Sequence, residues 1–195
     1  MIISITGDLG SGKSTVSKIL KERLSYEYIY TGKIQRELAD KYNMTILELN
    51  QYAETHPEID EEIDSIFKSL NDLYPSPTLP TGEGAESGLI VDSRLAWFFI
   101  PKSFKIYLKT DVEVAADRIS NDKQRKCEKY LSHEEAVCDI KARKESENKR
   151  YLELYGADCS DLSNFNLVVD CSYITPEKVA DSIIEKYYAW RESNN

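Results

Sequence analysis

The chain has 195 residues, 41% hydrophobic and 30% charged, with a net charge of −9. That is the length of one globular domain with its own core, and the acidity excludes a broad nucleic-acid or anionic-membrane surface, which rewards clustered Lys and Arg. Four cysteines without a C-x-x-C pair and only two histidines argue against a zinc site and point to reduced thiols in a cytoplasmic protein.

MIISITG carries no signal-peptide pattern, and the longest strongly apolar run, Leu95 to Ile100, is far below the ~18 residues of a membrane helix. Ile2 to Ile5 predicts a buried strand, and Val16, Ile19, Leu20 and Leu24 predict a helix. Residues 26–30 read as a second strand, and Ile34, Leu38 and Tyr42 as a second helix. Thr45 is placed to cap a short helix with Ile46, Leu49 and Tyr52. Pro57 opens another, with Ile59, Ile63, Ile66, Phe67 and Leu70 on one side. Residues 75–88, PSPTLPTGEGAESG, have no periodicity and predict an inserted flexible loop. Leu89 to Val91, ending on Asp92, and Lys105 to Leu108 are further strands. A helix with Val112, Ala115, Ala116 and Ile119 follows, then a polar loop over 120–131. Ser132 to Glu135 match a capping box for a helix reaching about Tyr155. Residues 166–170 form a last strand, and Thr175-Pro176 caps a closing helix with Val179, Ile183, Ile184 and Tyr187. Strands alternating with helices predict a three-layer α/β/α domain with a mostly parallel sheet.

Gly7-Asp8-Leu9-Gly10-Ser11-Gly12-Lys13-Ser14 fits G-x-x-x-x-G-K-[ST], between a strand and an amphipathic helix. Glycines let backbone N–H groups turn onto a phosphate, and the helix N-terminus adds its dipole. Lys13 can reach the terminal phosphates, the Ser14 hydroxyl can ligate Mg²⁺, and Thr15 completes the loop. No base-reading N-K-x-D is present and the chain is short, which points to a small kinase rather than a GTP-dependent switch or a motor.

Such a kinase must neutralise the transferred group, and arginine does this best because its planar fork matches phosphate oxygens. Arg143 and Arg150 lie about two helical turns apart with Glu147 between them, although the same run also reads as a solvated charged face. Asp92 and Arg94 close a buried strand; the carboxylate could hold Mg²⁺ through water and Arg94 could enter a cleft, or the two could form a surface salt bridge. His56 and His133 read as surface or cap residues, and Trp97, Phe98 and Phe99 as core.

GDLGSGKSTVSKIL, TGKIQRELA, ELNQYAETHPEIDEEID, VDSRLAWFFIP, KIYLKTDVEVAADRI and KESENKRYLELYGADCSDLSNFNLVVD resemble the cytidylate kinase family of P-loop nucleoside monophosphate kinases, in its short archaeal-type form. The resemblance spans nearly the whole chain outside 75–88. It implies ATP as donor, Mg²⁺ and a CMP or dCMP acceptor, so the expected partners are small nucleotides; the acidity argues against nucleic acid or membrane, and the expected state is a monomer or weak homodimer. It implies that Arg36 and Asp64 belong to the acceptor site and that Arg118 and Arg125 lie on the donor side of a lid spanning roughly 118–150. It also implies that Asp92 and Arg94 form the cleft floor and that Arg143, Glu147 and Arg150 contact sugar and acceptor phosphate. Ser93 stands where the family has glycine, and Ser65-Ile66-Phe67 where the archaeal-type form continues Arg-Gln. Two alternatives stay open at this stage: another small-molecule kinase resembling dephospho-CoA kinase, and a nucleotide-binding protein without turnover.

Overall fold

The computed structural model describes residues 1–44, 46–53, 55–62, 65, 88–122 and 130–194, apart from the side chains of 33, 35, 36, 46, 47, 50 and 51. Five strands, β1 (Ile2–Gly7), β2 (Glu27–Tyr30), β3 (Leu89–Asp92), β4 (Phe104–Lys109) and β5 (Leu167–Asp170), make one sheet in the order β2-β3-β1-β4-β5. Every pairing is parallel. The helices are α1 (Lys13–Leu24), α2 (Thr31–Lys41), α3 (Ile46–Ala53), the one-turn α4 (Ala96–Phe99), α5 (Val112–Asn121), α6 (His133–Tyr155) and α7 (Pro176–Ser193). Residues 58–62 are also helical.

A parallel sheet must be covered on both faces, and the period-2 alternation of β1 and β3 shows how. Ile3, Ile5 and Ile90 pack with Val16 and Leu20 of α1 and with Val179, Ile183 and Tyr187 of α7. Ile2, Leu89 and Val91 face the other way, onto Leu38, Leu49, Ala53, Ile59 and Ala96. Trp97 is buried beside Tyr107, Tyr151 and Phe165, with Phe98 and Phe99 partly buried against that cluster, so these aromatics are core as expected.

A fourth cluster positions α6. Ala115, Ala116 and Ile119 of α5 meet Ala136, Val137 and Ile140 of α6, and Leu9 of the glycine loop packs against the same seam. Small residues on both helices let the backbones approach closely. Ser132 caps α6 by accepting from the Glu135 N–H at 3.2 Å. Glu135 bonds back to the N–H of Leu131 at 2.6 Å, one residue upstream of the cap. Thr175 caps α7 with Pro176 in its first turn.

The expected loop at 75–88 lies outside the described residues except for Gly88, as do the cap at Thr45 and the apolar side chains at 63, 66, 67 and 70. Among the described residues, no helix is long and apolar enough to cross a membrane.

Candidate active site

The register brings Asp92 beside Ile5 on one side and Tyr30 on the other, so the ends of β1, β2 and β3 meet at one edge of the sheet. In open α/β sheets the crevice beyond these carboxyl ends is where ligands bind.

The glycine loop leaves β1 here. Gly10 and Gly12 have φ of +72° and +84°, a region L-residues avoid. Their surroundings differ. A Cβ on Gly10 would lie 2.9 Å from Ala115, so α5 presses on the loop at that point. A Cβ on Gly12 would meet nothing within 4 Å. The loop is thus braced at Gly10 and open at Gly12, and no side chain caps the N-terminus of α1. Open space at a helix N-terminus flanked by glycine N–H groups suits a phosphate.

Lys13 Nζ donates to the carbonyl oxygens of Gly7 and Asp8, both at 2.9 Å. Burial and the nearby Arg94 charge push this ammonium down to about 7, against the pull of Asp92 and Glu147. The Ser14 hydroxyl donates to Asp92 Oδ2 at 3.3 Å, and the Tyr28 hydroxyl donates to the same oxygen at 3.2 Å. Burial raises the pKa of Asp92, opposed by Lys13, Tyr28, Arg94 and Ser14. Thr31 Oγ1 ties the Asp92 carbonyl to the start of α2 at 2.6 Å. Ser14 and Asp92 offer two hard oxygens beside the open end of the loop. Among the described residues no group of three or more His, Cys, Asp or Glu side chains gathers to hold a metal. That pattern fits Mg²⁺, which takes one or two protein oxygens and completes its shell with water and phosphate, and does not fit an all-protein cage.

Facing the loop, one cleft is lined by Gly7, Asp8, Arg94, Arg143, Lys144 and Glu147, among others. Arg94 donates to the Gly7 carbonyl and pairs through Nε with Glu147 at 2.9 Å. Lys144 Nζ reaches Asp8 Oδ1 at 2.6 Å. Arg150 Nε lies 3.1 Å from Asp60 Oδ2, with both side chains largely buried. That distance is an ion-pair contact, but neither atom makes a well-directed hydrogen bond. Arg150 is therefore tied to the helical segment that carries Asp60.

Of the residues singled out in the sequence, Lys13, Ser14 and Asp92 gather at the open end of the loop, Arg94, Arg143 and Glu147 line the cleft beside Gly7 and Asp8, and Arg150 pairs with Asp60 apart from that lining. Asp8 does more than line the loop: its carboxylate also accepts from the Tyr107 hydroxyl at 2.7 Å and the Thr110 N–H at 2.9 Å. Burial alone would raise its pKa; the bonds from Lys144, Thr110 and Tyr107 bring it below the usual carboxylate value. Arg118 reaches the glycine loop from α5, where it donates to the carbonyls of Gly10, Cys171 and Ser172 at 3.3, 2.7 and 3.1 Å. Its donors brace the loop against the end of β5. Arg36 lies on α2 but its side chain is outside the described set, and Asp64 and Arg125 lie outside the described residues altogether. Sequence reasoning missed Tyr28, Tyr107, Asp60 as a partner, and Lys144. His133 is more than a cap: its two ring nitrogens contact Glu113 at 2.7 Å and Asp117 at 3.1 Å across the α5–α6 seam.

A parallel sheet, a glycine loop running into α1 and a cation-lined cleft opposite define a P-loop kinase. Solved structures agree on the fold. An uncharacterized protein from Eubacterium ventriosum superposes with a TM-score of 0.64 at 15% identity, covering 95% of this chain and 96% of that one. Shikimate kinase from Acinetobacter baumannii, in complex with shikimate, gives 0.54 at 18% identity, covering 96% and 93%. Within that class the chain belongs to the cytidylate kinase-like family, whose pattern matches residues 2–173. It is 38% identical over 187 residues to the cytidylate kinase of Sulfolobus acidocaldarius, covering 94% of this chain and 92% of that protein. It is 34% identical over 181 residues to that of Pyrococcus horikoshii, covering 92% and 84%.

Proposed function

We propose that this chain is an ATP-dependent cytidylate kinase, transferring the γ-phosphoryl group of ATP to CMP or dCMP to give ADP and the cytidine diphosphate. The observation that carries the reading is the convergence of the glycine loop with Arg94, Arg143 and Glu147 on one cleft, in a chain whose curated relatives are cytidylate kinases over nearly its full length. An acceptor-phosphate oxygen forms the new bond to the γ-phosphorus while the bond to the β,γ-bridging oxygen breaks, leaving on ADP. No covalent enzyme intermediate and no general base are needed, because the acceptor is already anionic. Catalysis then consists of alignment and charge neutralisation.

The loop N–H groups and Lys13 hold the donor phosphates. Gly7, Leu9, Gly10, Ser11, Gly12 and Thr15 shape the loop, Asp8 anchors it to β4, and Arg118 braces its donor edge. Ser14 and Asp92 would hold Mg²⁺, which would supply positive charge to offset that of the donor phosphates. Arg94 stands between the loop and Glu147, where the transferred group must pass. Arg143, Glu147 and Arg150 take the acceptor's phosphate and sugar, with Arg36 and Asp64 contributing from α2 and the segment after Asp60, and Arg125 from the donor side of the lid. All these groups come from one polypeptide, so a monomer or weak homodimer in the cytoplasm suffices.

The test is ADP release from Mg²⁺-ATP with CMP, dCMP, UMP, AMP, GMP and dephospho-CoA offered singly. Turnover with CMP or dCMP well above the others is expected. Silence with both cytidine nucleotides, while another acceptor turns over or ATP binds without reaction, overturns the reading.

A further inference from the structure

Residues three apart on an α-helix are neighbours on its surface. On α6 the row Lys144, Glu147, Arg150 makes three ion pairs with three different parts of the chain. Lys144 meets Asp8 of the donor loop, Glu147 meets Arg94 at the cleft floor, and Arg150 meets Asp60 on the acceptor side. The signs along the row alternate, so neighbours on the helix attract rather than repel. The last two pairs use residues already given to the acceptor. Lys144 is the member without a role.

The two partners of that first pair differ in freedom. Asp8 is a fixed point: its side chain is 10% exposed, and Tyr107 and Thr110 of the β4 end hold both of its oxygens. Lys144 is half exposed, at 50%, on a flexible stem. The lysine therefore docks onto a carboxylate that the scaffold has already oriented. Through the Asp8 carbonyl the same residue also accepts from Lys13. The contact thus joins the helix carrying Arg143 and Glu147 to the residue that supports the donor-phosphate lysine.

We propose that Lys144 is a positioning residue for phosphoryl transfer: by docking on Asp8 it sets α6 against the donor loop, so that the acceptor groups Arg143 and Glu147 and the donor-phosphate cradle are held as one unit. The role rests on the phosphoryl-transfer reading above. It concerns alignment, where a displacement of about an ångström costs as much as 10²-fold.

The test compares Lys144→Met, Asp8→Asn, the double variant and Lys144→Arg in kcat, in KM for ATP and CMP, in ATP affinity and in thermal unfolding. Loss of alignment lowers kcat by more than it raises KM for ATP, which we expect to rise about threefold. We expect Lys144→Met to lose roughly tenfold in kcat, the double variant to be no worse than Asp8→Asn alone, and Lys144→Arg to recover most of the rate. A half-exposed pair contributes little to global stability, so the midpoint of Lys144→Met should stay within about 4 °C of the parent. A kcat within twofold of the parent, or losses that multiply in the double variant, overturns the proposal. If the parent is silent with cytidine nucleotides, the acceptor reading fails and the ATP affinities decide about Lys144. Effects of the two sites that do not add in ATP binding support the contact, and strictly additive effects overturn it.

Discussion

In residues 7–14, the proposed donor half, the phosphate cradle is a local backbone conformation that distant Asp92, Tyr107, Thr110 and Arg118 only brace, whereas Lys144, Glu147 and Arg150 become a site only through Asp8, Arg94 and Asp60. The donor side is a local backbone conformation: positive φ at two glycines, an uncapped helix N-terminus and a lysine folded over two nearby carbonyls. The acceptor side is a set of long-range charge pairs hung on one helix. The contrast teaches that the first kind of site can be recognised by spacing, while the second needs the packing of Ala115, Ala116 and Ile119 against Ala136, Val137 and Ile140 before its charges mean anything.

The largest expected effect falls on the donor side. Lys13→Met should lower kcat on the order of 10³-fold, the size expected for losing a preorganised donor to developing charge, and leave the unfolding midpoint nearly unchanged. A variant with full turnover would show that the loop is not the donor site. Next comes the acceptor side, where Arg150→Met leaves Asp60 buried without its counter-charge. Because breaking a buried pair is costly, urea unfolding should report a loss of about 3 kcal/mol, together with a raised KM for CMP. An unchanged midpoint would mean that the pair is structurally idle, as its poorly directed contact allows.

A smaller effect sharpens the donor half. Gly12→Ala meets open space, so its stability cost is only the left-handed backbone penalty of about 1 kcal/mol, yet the added methyl should block ATP binding by calorimetry. Gly10→Ala meets the Ala115 backbone and should lose more stability than Gly12→Ala. Equal costs at the two glycines would undo the distinction between braced and open ends of the loop.

The smallest effect is at the first residue of α6. His133 has its pKa raised, first by the hydrogen bond to Glu113 and then by the Asp117 charge, which outweigh desolvation. A raised histidine pKa contributes stability that is fully present below the unfolded value of about 6.5 and lost as pH climbs through the folded value. His133→Gln should therefore narrow the difference in melting temperature between parent and variant as pH rises through that window. A difference independent of pH would assign the contact no charge.

Much of the fold was legible because periodicity survives in single elements. The five strands and the helices on Val16–Leu24, Val112–Ile119 and Val179–Tyr187 fall where short apolar runs and helical spacing put them. The glycine loop, Asp92 at a strand end, and Arg143 with Glu147 on one helix were legible for the same reason. Lys144 was not, because nothing in RKESENKR separates a lysine that docks from one that is solvated. Asp60 and Tyr28 were hidden as partners because both act through tertiary contacts, Asp60 to α6 and Tyr28 to Asp92 at the end of β3. Arg118 differs again: the resemblance implies a lid residue on the donor side, and nothing in the sequence told that four acceptors, three of them backbone carbonyls, occupy its guanidinium.

By itself the amino-acid order determined the donor chemistry, since a phosphate cradle made of consecutive N–H groups depends on glycine placement and on a helix starting at the next residue. Tertiary structure alone decided which charges face which. An ion pair carries no periodicity, and its partner can lie anywhere along the chain. The register of β1 and β3, the packing of Ile59 onto Ile2, Leu89 and Val91, and the apolar seam between α5 and α6 together bring Asp8, Arg94 and Asp60 under one row of a distant helix.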